Sequence, residues 1–571
     1  MLRNFRNSVL LSAAALAASS FSAAANVTIS NAPTQNMSCA GGVCVPTGAT
    51  AVLNVTDLEN LLASGNVKIT TTGTGIQATD IRLGAKLDWS SSNTLSLNAY
   101  KSVSVDKPVS VKGNGGFAVN TNDGGSKGEF TFAAGSHLTF ANMSSPLAIN
   151  GVSYSLVPNL ALLATAVAAN PAGAFALANN YDAGKDGTYA APPVSTVFTG
   201  EFTGLGNSIT NLTINDPVQD AYVGLFAQTS GNASLSNIRF ANANVTGAAG
   251  TAGGSSTEYI GILVGFLDGG TISNAFTAGT TSGGSYVAVG GLAGVTFGTI
   301  TESGSAAIVS NGYQGAAGGL IGITAGAVTR SFATGNVSGS TFVGGLVGLD
   351  SPRFTVDGSF ASGTVTGIDT ETYAGGLIGM IQGTVSRSFA TGTVNCEFIC
   401  GGLAGMNGGG TGVSTISQSF ATGNVSAGSG GAGGLVGTNL SSVITDSYAL
   451  GVTSGTGAGG LAASNEISGD TIGISHSYSA GVVTGTEYAG GLIAVDDFAG
   501  SLKRTYWNTT TSGIIDKSQG AGNLPNDPGI KGLSNTKFTA GLPKGFNPRI
   551  WAESPDMNSG LPYLIANQPP K

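Results

Sequence analysis

Charge is what this chain most lacks. Of its 571 residues only 9% are Asp, Glu, Lys or Arg, with 22 bases against 30 acids and a formal net charge of −8. An ordinary globular protein carries about 25% charged residues. So few Lys and Arg in an acidic chain exclude nucleic acid as a partner, because phosphate contacts supply most of that affinity. They also disfavour an anionic lipid surface. Histidine is nearly absent, and His137 and His476 stand far apart, which leaves little material for imidazole catalysis. No apolar run beyond the N-terminal region is long enough to cross a membrane as a helix, so no transmembrane segment is expected. Glycine at every third position, the mark of collagen, is also missing.

Cysteine is scarce too. The four residues form two local pairs, Cys39 with Cys44 and Cys396 with Cys400. Neither pair has the CxxC-type spacing and Cys or His partners of a zinc site. In an exported chain local disulfides fit best, with free thiols as the alternative. Nothing implies a metal, a cofactor or a catalytic residue.

What is abundant is glycine, 92 residues, beside 41% hydrophobic residues. That much apolar content argues against disorder and points to repetitive β structure. The N-terminus reads MLRNFRNSVLLSAAALAASSFSAAA. Arg3 and Arg6, an apolar stretch from Val9 to Ala18 and the small residues Ala23-Ala24-Ala25 form a secretory signal peptide over 1–25. Its loss takes the net charge from −8 to −10, since it holds two arginines and no acid.

Self-similarity dominates residues 222–512. The unit is aromatic-x-Gly-Gly-Leu-x-Gly, a variable connector, then x-Ser-Phe-Ala-Thr-Gly-x-Val, as in TFVGGLVGLDSPRFTVDGSFASGTVTG from Thr341 to Gly367. Its leucine returns at Leu292, Leu320, Leu346, Leu377, Leu403, Leu435, Leu461 and Leu492, every 26 to 32 residues. Its second aromatic returns at Phe332, Phe360, Phe389, Phe420, Tyr448 and Tyr478. One such unit cannot bury an apolar face alone, but stacked units build a continuous core. Gly-Gly with β-branched Val, Thr and Ile contradicts a helical repeat. The expected fold is all-β, a right-handed parallel β-helix (β-solenoid) with short capping helices and about ten stacked units in the array, each adding ~4.8 Å.

The chain divides into the leader 1–25, a β-solenoid section 26–150, a helix and leading segment 151–221, the repeat array 222–512 and a C-terminal cap 513–571. Thr56-Asp57-Leu58-Glu59 reads as a capping box that opens a helix near 57–63, placed to cover the solenoid's open end. Residues 156–169, with Pro158 near the start, read as a second helix.

Candidate chemistry is sparse. Asp496-Asp497 supplies paired carboxylates of the kind glycoside hydrolysis needs. Neighbours on a strand point to opposite faces, however, and the pair falls in a connector, so it reads as solvated loop acid. Gly124-Gly125-Ser126-Lys127-Gly128 matches G-x-S-x-G but lacks the following helix. Arg330, Arg387 and Lys503-Arg504 read as outward-facing, and Trp507 and Trp551 as a hydrophobic cap. Connectors 349–357, 406–415 and 494–501 vary while the ladders do not, and are the expected contact sites.

GGLVG followed by SFATGTV resembles the GLUG motif of bacterial surface and secreted proteins. Thr505-Tyr506-Trp507-Asn508, Leu542-Pro543-Lys544-Gly545-Phe546, Trp551 and Leu561-Pro562-Tyr563-Leu564 resemble the segment that closes such arrays, and FTGEFTGLGNSITNLTI (198–214) the segment that leads into them. LENLLASGNVKITTTGTG (58–75) and LDWSSSNTLSLNA (87–99) resemble filamentous-haemagglutinin-like exoproteins. The resemblance implies a secreted or cell-surface, outer-membrane-associated adhesin that is not an enzyme. It would attach multivalently to a protein or glycan on host cells or matrix. A scaffold of extracellular matrix or biofilm is the alternative, and a polysaccharide-active β-helix enzyme a more distant one. The resemblance also implies an outer-membrane secretion partner. The NPNL-type motif of such exoproteins is absent, with Asn170-Pro171-Ala172-Gly173 a partial echo, so the route and a periplasmic location stay open.

Overall fold

Parallel pairing between equivalent positions of successive repeats organises the structure, a computed structural model that describes residues 26–252, 258–352, 354–410, 412–467 and 473–570. The signal peptide falls on 1–25, outside the described residues. Phe342-Val343-Gly344 lies beside Tyr373-Ala374-Gly375, Val347 beside Ile378, and Phe360-Ala361 beside Phe389-Ala390. Like therefore stacks on like, and cross-strand pairs become ladders along a parallel β-solenoid. One sheet of 19 strands runs from the hairpin at Met37–Ala40 to Leu502–Lys503, so the N-terminal section and the array share one body. The array adds sheets of 19, 13 and 10 strands, the last from Phe226–Ser230 to Ile493–Asp496. The two sections meet at an antiparallel pair, Leu147–Ile149 with Val152–Val157.

The eight repeat leucines are fully buried at one corner of each turn. A second corner is less evident from sequence. The variable residue before each conserved serine is left-handed, with φ of 48° at Glu302 and Arg330, 47° at Arg387 and His476, and 46° at Gln418 and Asp446. The side chains of Arg330, Arg387, Lys503 and Arg504 are exposed, and Arg330 pairs with Glu302 of the turn before at 2.8 Å.

The serine that follows is buried. Ser331 N donates to Ser359 Oγ (3.1 Å), Ser359 N to Ser388 Oγ (3.1 Å) and Ser388 N to Ser419 Oγ (3.2 Å). Each Oγ in turn donates to the carbonyl two residues earlier in its own strand. Ser388→Ala would strand the Ser359 N–H in the core. It is expected to cost about 1–3 kcal/mol, measured as a lower urea midpoint with an unchanged slope.

Helix α1 spans Val55–Ser64 and starts earlier than expected. Asn54, not Thr56, is its cap, and Asn54 Oδ1 accepts from Thr56 N (2.9 Å) and Asp57 N (3.4 Å). Asn caps at least as well as Thr, and Val55 is already buried. Glu59 does not close a capping box. It accepts instead from Asp88 N (3.2 Å) on Leu87–Trp89, the edge strand of a three-stranded sheet. The helix thus shields an open edge. Helix α2 spans Leu160–Ala169, capped by Asn159, so Pro158 lies outside it. No helix among the described residues is long and apolar enough to cross a membrane.

The C-terminal segment covers a side of the array as well as its end. Gly491 N and Leu492 N donate to Gln519 O and Gly520 O at 2.9 Å, which closes the last corner. Farther on, Phe538, Phe546, Trp551 and Leu564 pack on the ladder Phe389, Phe420, Tyr448, Tyr478 and Tyr506. From Phe389 to Tyr478 the rings stack 4.8–5.2 Å apart. Trp551 Nε1 donates to Asp446 Oδ1 (3.0 Å), and Asn567 Nδ2 to Ser388 O (3.1 Å) and Gln418 O (3.0 Å). Trp507 belongs to the array's own core and donates to Ile514 O (3.1 Å). Cys39 faces Cys44 across its hairpin and is bonded to it, and Cys396 is bonded to Cys400, with Cα separations of 4.1 and 6.0 Å.

Candidate functional site

The first aromatic position of the repeat forms an outer column, and its occupants change along the rod. In order they are Tyr222, Tyr259, Ala288, Ala316, Phe342, Tyr373, Ile399, Gly431, Gly457 and Tyr488. Beside it climbs a second column, Phe266, Val295, Ile323, Leu349, Met380 and Met406. The two touch, since the Phe266 ring lies 5.3 Å from those of Tyr222 and Tyr259. Together they form an apolar stripe on the outside of the array.

Where the first column changes from ring to methyl, the stripe hollows into a groove of about 500 Å³. Ala316, Ile323 and Leu349 supply its aliphatic lining. Phe342 and Tyr373 stack 6.1 Å apart, Phe398 meets Tyr373 edge-on at 5.7 Å, and Tyr286 stands at right angles to Tyr313 at 6.2 Å. Gln314, Thr341 and Glu371 are its polar groups, and none of its lining residues is Lys, Arg or His. Gln314 Nε2 donates to Tyr313 Oη (3.2 Å). Burial raises the pKa of the Tyr373 hydroxyl, with Glu466 and Glu371 adding to it, so the phenol stays a proton donor at neutral pH.

The groove also holds strain. Tyr286, Gln314 and Thr341 have φ of 62°, 50° and 65° on three successive turns. Left-handed backbone is costly for L-residues and an outlier for a β-branched one. Such backbone costs of order 1–3 kcal/mol per residue and persists only where the surroundings enforce it, as they also do at the Glu302–His476 corner. Here Tyr286 N donates to Tyr313 O (2.9 Å), Gln314 N to Ser340 Oγ (3.3 Å) and Tyr373 N to Thr341 O (2.7 Å).

Of the connectors expected to make contacts, only Leu349 reaches this groove. The clue in the sequence is an exception to its own motif, alanine at 288 and 316 where neighbouring repeats carry a ring. Asp496 is not a solvated loop acid. It ends the strand Ile493–Asp496, is 2% exposed, and accepts from Asn465 Nδ2 at 2.8 Å. Below it Asn407, Asn439 and Asn465 form a buried amide ladder with 2.8 Å links. Burial first, then Asp527, pushes its pKa up to about 7. Asp497 is exposed. Two further buried acids went unnoticed in the sequence. Burial raises Glu258 to about 7 and Asp350 to about 8. The Gly124–Gly128 segment is a loop with no helix after it. His137 lies in the N-terminal section and His476 on the left-handed corner of the array, so the structure does not make them one site. Among the described residues no group of three or more His, Cys, Asp or Glu is placed to hold a metal.

No family model matches the chain. Halomucin of Haloquadratum walsbyi is 37% identical over 229 residues, which cover 34% of this chain and 2% of halomucin. The chain therefore spans a very small part of that relative's length. Among solved structures, a candidate immunoglobulin A1 protease from Bacteroides ovatus aligns with 73% of this chain and 93% of its own at 15% identity and a TM-score of 0.29. These likenesses name no family. The architecture rests on the chain's own strand pairing.

Proposed function

We propose that this is an exported, adhesin-like repeat protein that attaches to a ligand on a cell or matrix surface through the aromatic groove. The carrying observation is a preformed aromatic groove on the outside of a stiff rod otherwise built of internal ladders. The signal-peptide pattern, the GLUG and haemagglutinin-like resemblance, the two disulfides and the partial likeness to halomucin all support a secreted or cell-surface setting. An outer-membrane transporter is the secretion partner this reading implies. The groove occurs where Ala316, Phe342 and Tyr373 succeed one another, not on every turn. Avidity would then come from many copies on one cell rather than from many sites on one rod.

The test is retention of the mature chain on immobilised cells and matrix. Tyr373→Ala and Phe342→Ala should each cut retention about tenfold or more, as loss of a central aromatic anchor does, with a smaller loss of melting temperature than truncation of a fully buried ring such as Phe420, because both rings are partly exposed. Retention that is equal in wild type and both variants would favour the alternative, a matrix or biofilm scaffold with no ligand in the groove.

A further inference from the structure

Resting on that attachment reading, the geometry points to a neutral glycan strand as the occupant of the groove between Tyr286 and Phe398. A pyranose ring has a flat C–H face and an edge of hydroxyls. The groove offers matching halves, the Phe342, Tyr373 and Leu349 side chains for the face and Gln314, Thr341 and Glu371 for the edge. Gln314 Oε1, Thr341 Oγ1 and the Glu371 carboxylate have no hydrogen-bond partner among the described residues, so they stand ready to accept from sugar hydroxyls. A peptide segment could cover the same rings and donate its backbone N–H groups to these acceptors, so periodate and protease treatment of the surface are what separate it from a glycan.

Charge narrows the class. The groove carries one carboxylate and no lysine, arginine or histidine, in a chain of net charge −8. A sulfated or uronic acid polymer would meet repulsion and no counter-charge. Shape narrows it further. The lining runs over the turns of Tyr286, Ala316, Phe342, Tyr373 and Phe398, a span of about 19 Å at ~4.8 Å per turn. That suits a chain of linked sugars lying along the rod better than a single one. The volume falls in the usual small-ligand range of about 300–1,000 Å³. The left-handed backbone at Gln314 and Thr341 fixes these groups before binding, which lowers the ordering cost of a weak polar ligand.

The mature chain should be titrated by calorimetry and saturation-transfer NMR with cellohexaose, chitohexaose, mannohexaose and maltohexaose, and with heparin and polygalacturonate as anionic probes. At least one neutral hexasaccharide is expected to bind saturably. Gln314→Ala and Tyr373→Ala should each weaken it tenfold or more, and Tyr373→Phe, which keeps the ring, should weaken it less. On cell surfaces, periodate oxidation should abolish Tyr373-dependent retention and protease treatment should not. The glycan assignment is overturned, with attachment intact, if Tyr373-dependent retention survives periodate but not protease, or if no neutral probe binds. Heparin or polygalacturonate bound with the same Tyr373 dependence would overturn neutrality. Loss of retention by the wild-type chain itself would instead sink the attachment reading.

Discussion

Gly344→Ala is expected to unfold the array around that turn, whereas Gly65→Ala leaves stability nearly unchanged. A Cβ on Gly344 would lie 1.8 Å from Val347 O, 2.7 Å from Val347 C and 2.8 Å from Gly379 N, all of them backbone atoms that no rotamer change can move. The same clash recurs at Gly318, Gly375, Gly401, Gly433 and Gly459, each 1.8–1.9 Å from the carbonyl three residues on. The glycine is therefore demanded by the close approach of two strands at the leucine corner. Turns are stabilised by their neighbours, so a displaced strand weakens the turns on either side. The loss should exceed about 4 kcal/mol, the range of exceptional single substitutions. At Gly65 a Cβ would meet nothing within 4 Å, and φ of −176° is extended backbone open to any residue. Circular dichroism melts and limited proteolysis would check the pair. A Gly344→Ala melt within about 2 °C of wild type would refute the packing argument.

The protein should be markedly more stable at pH 5 than at pH 8. Burial raises Asp350 to about 8 and Glu258 and Asp496 to about 7. In the unfolded chain these carboxyls titrate near their ordinary values of about 3.9–4.3. Each folded pKa is raised, so the native state keeps a proton that the unfolded state has released. That stabilisation is fully present below about pH 4 and is lost as pH rises to between 7 and 8. At about 1.4 kcal/mol per pKa unit, Asp350 alone accounts for several kcal/mol. A backbone hydrogen bond from Gly383 offsets only part of the rise at Asp350. Asp350→Asn keeps the shape of the neutral acid and removes the titration. It should raise the melting temperature at pH 8, change it little at pH 4 and flatten the slope between. A wild-type melting temperature that rises from pH 5 to 8 would contradict the burial of these acids.

What the sequence revealed and what it hid follow one rule. The Leu346 and Phe360 ladders are legible because side-chain identity repeats at those positions, and identity is what stacking selects. The left-handed corner is hidden because there the backbone repeats and the residue does not, with Glu302, Arg330, Gln418 and His476 all taking φ near 47°. Asn237, Asn274 and Gly358 do mark it on three turns, but charged and amide residues replace them elsewhere, so no repeated residue type announces the corner. The amide ladder ending at Asp496 keeps the leucines' own spacing, four residues after Leu403, Leu435, Leu461 and Leu492, but earlier turns hold Thr296, Thr324, Asp350 and Ile381 at that position, so residue identity does not repeat there. The groove arises from an interruption, Ala288 and Ala316 between the rings of Tyr259 and Phe342. The C-terminal covering depends on contacts such as Asn567 to Ser388, 179 residues apart, for which no local pattern exists. The start of α1 is ambiguous in sequence by two residues, because Asn54 and Thr56 are both good caps and only the burial of Val55 decides between them.

The C-terminal segment that crosses Ser388, Gln418 and Asp446 has a mechanical meaning. Hydrogen bonds between turns run along the rod, so tension applied at its ends loads them in series, and turns would give way one at a time. Each yielding turn of 26 to 32 residues would release about 90–110 Å of chain. The segment lies across several turns and ties them in parallel, so a pull from the C-terminal side must peel it away before those turns can open. A tether of this kind lengthens stepwise under load instead of snapping, with its last turns guarded longest.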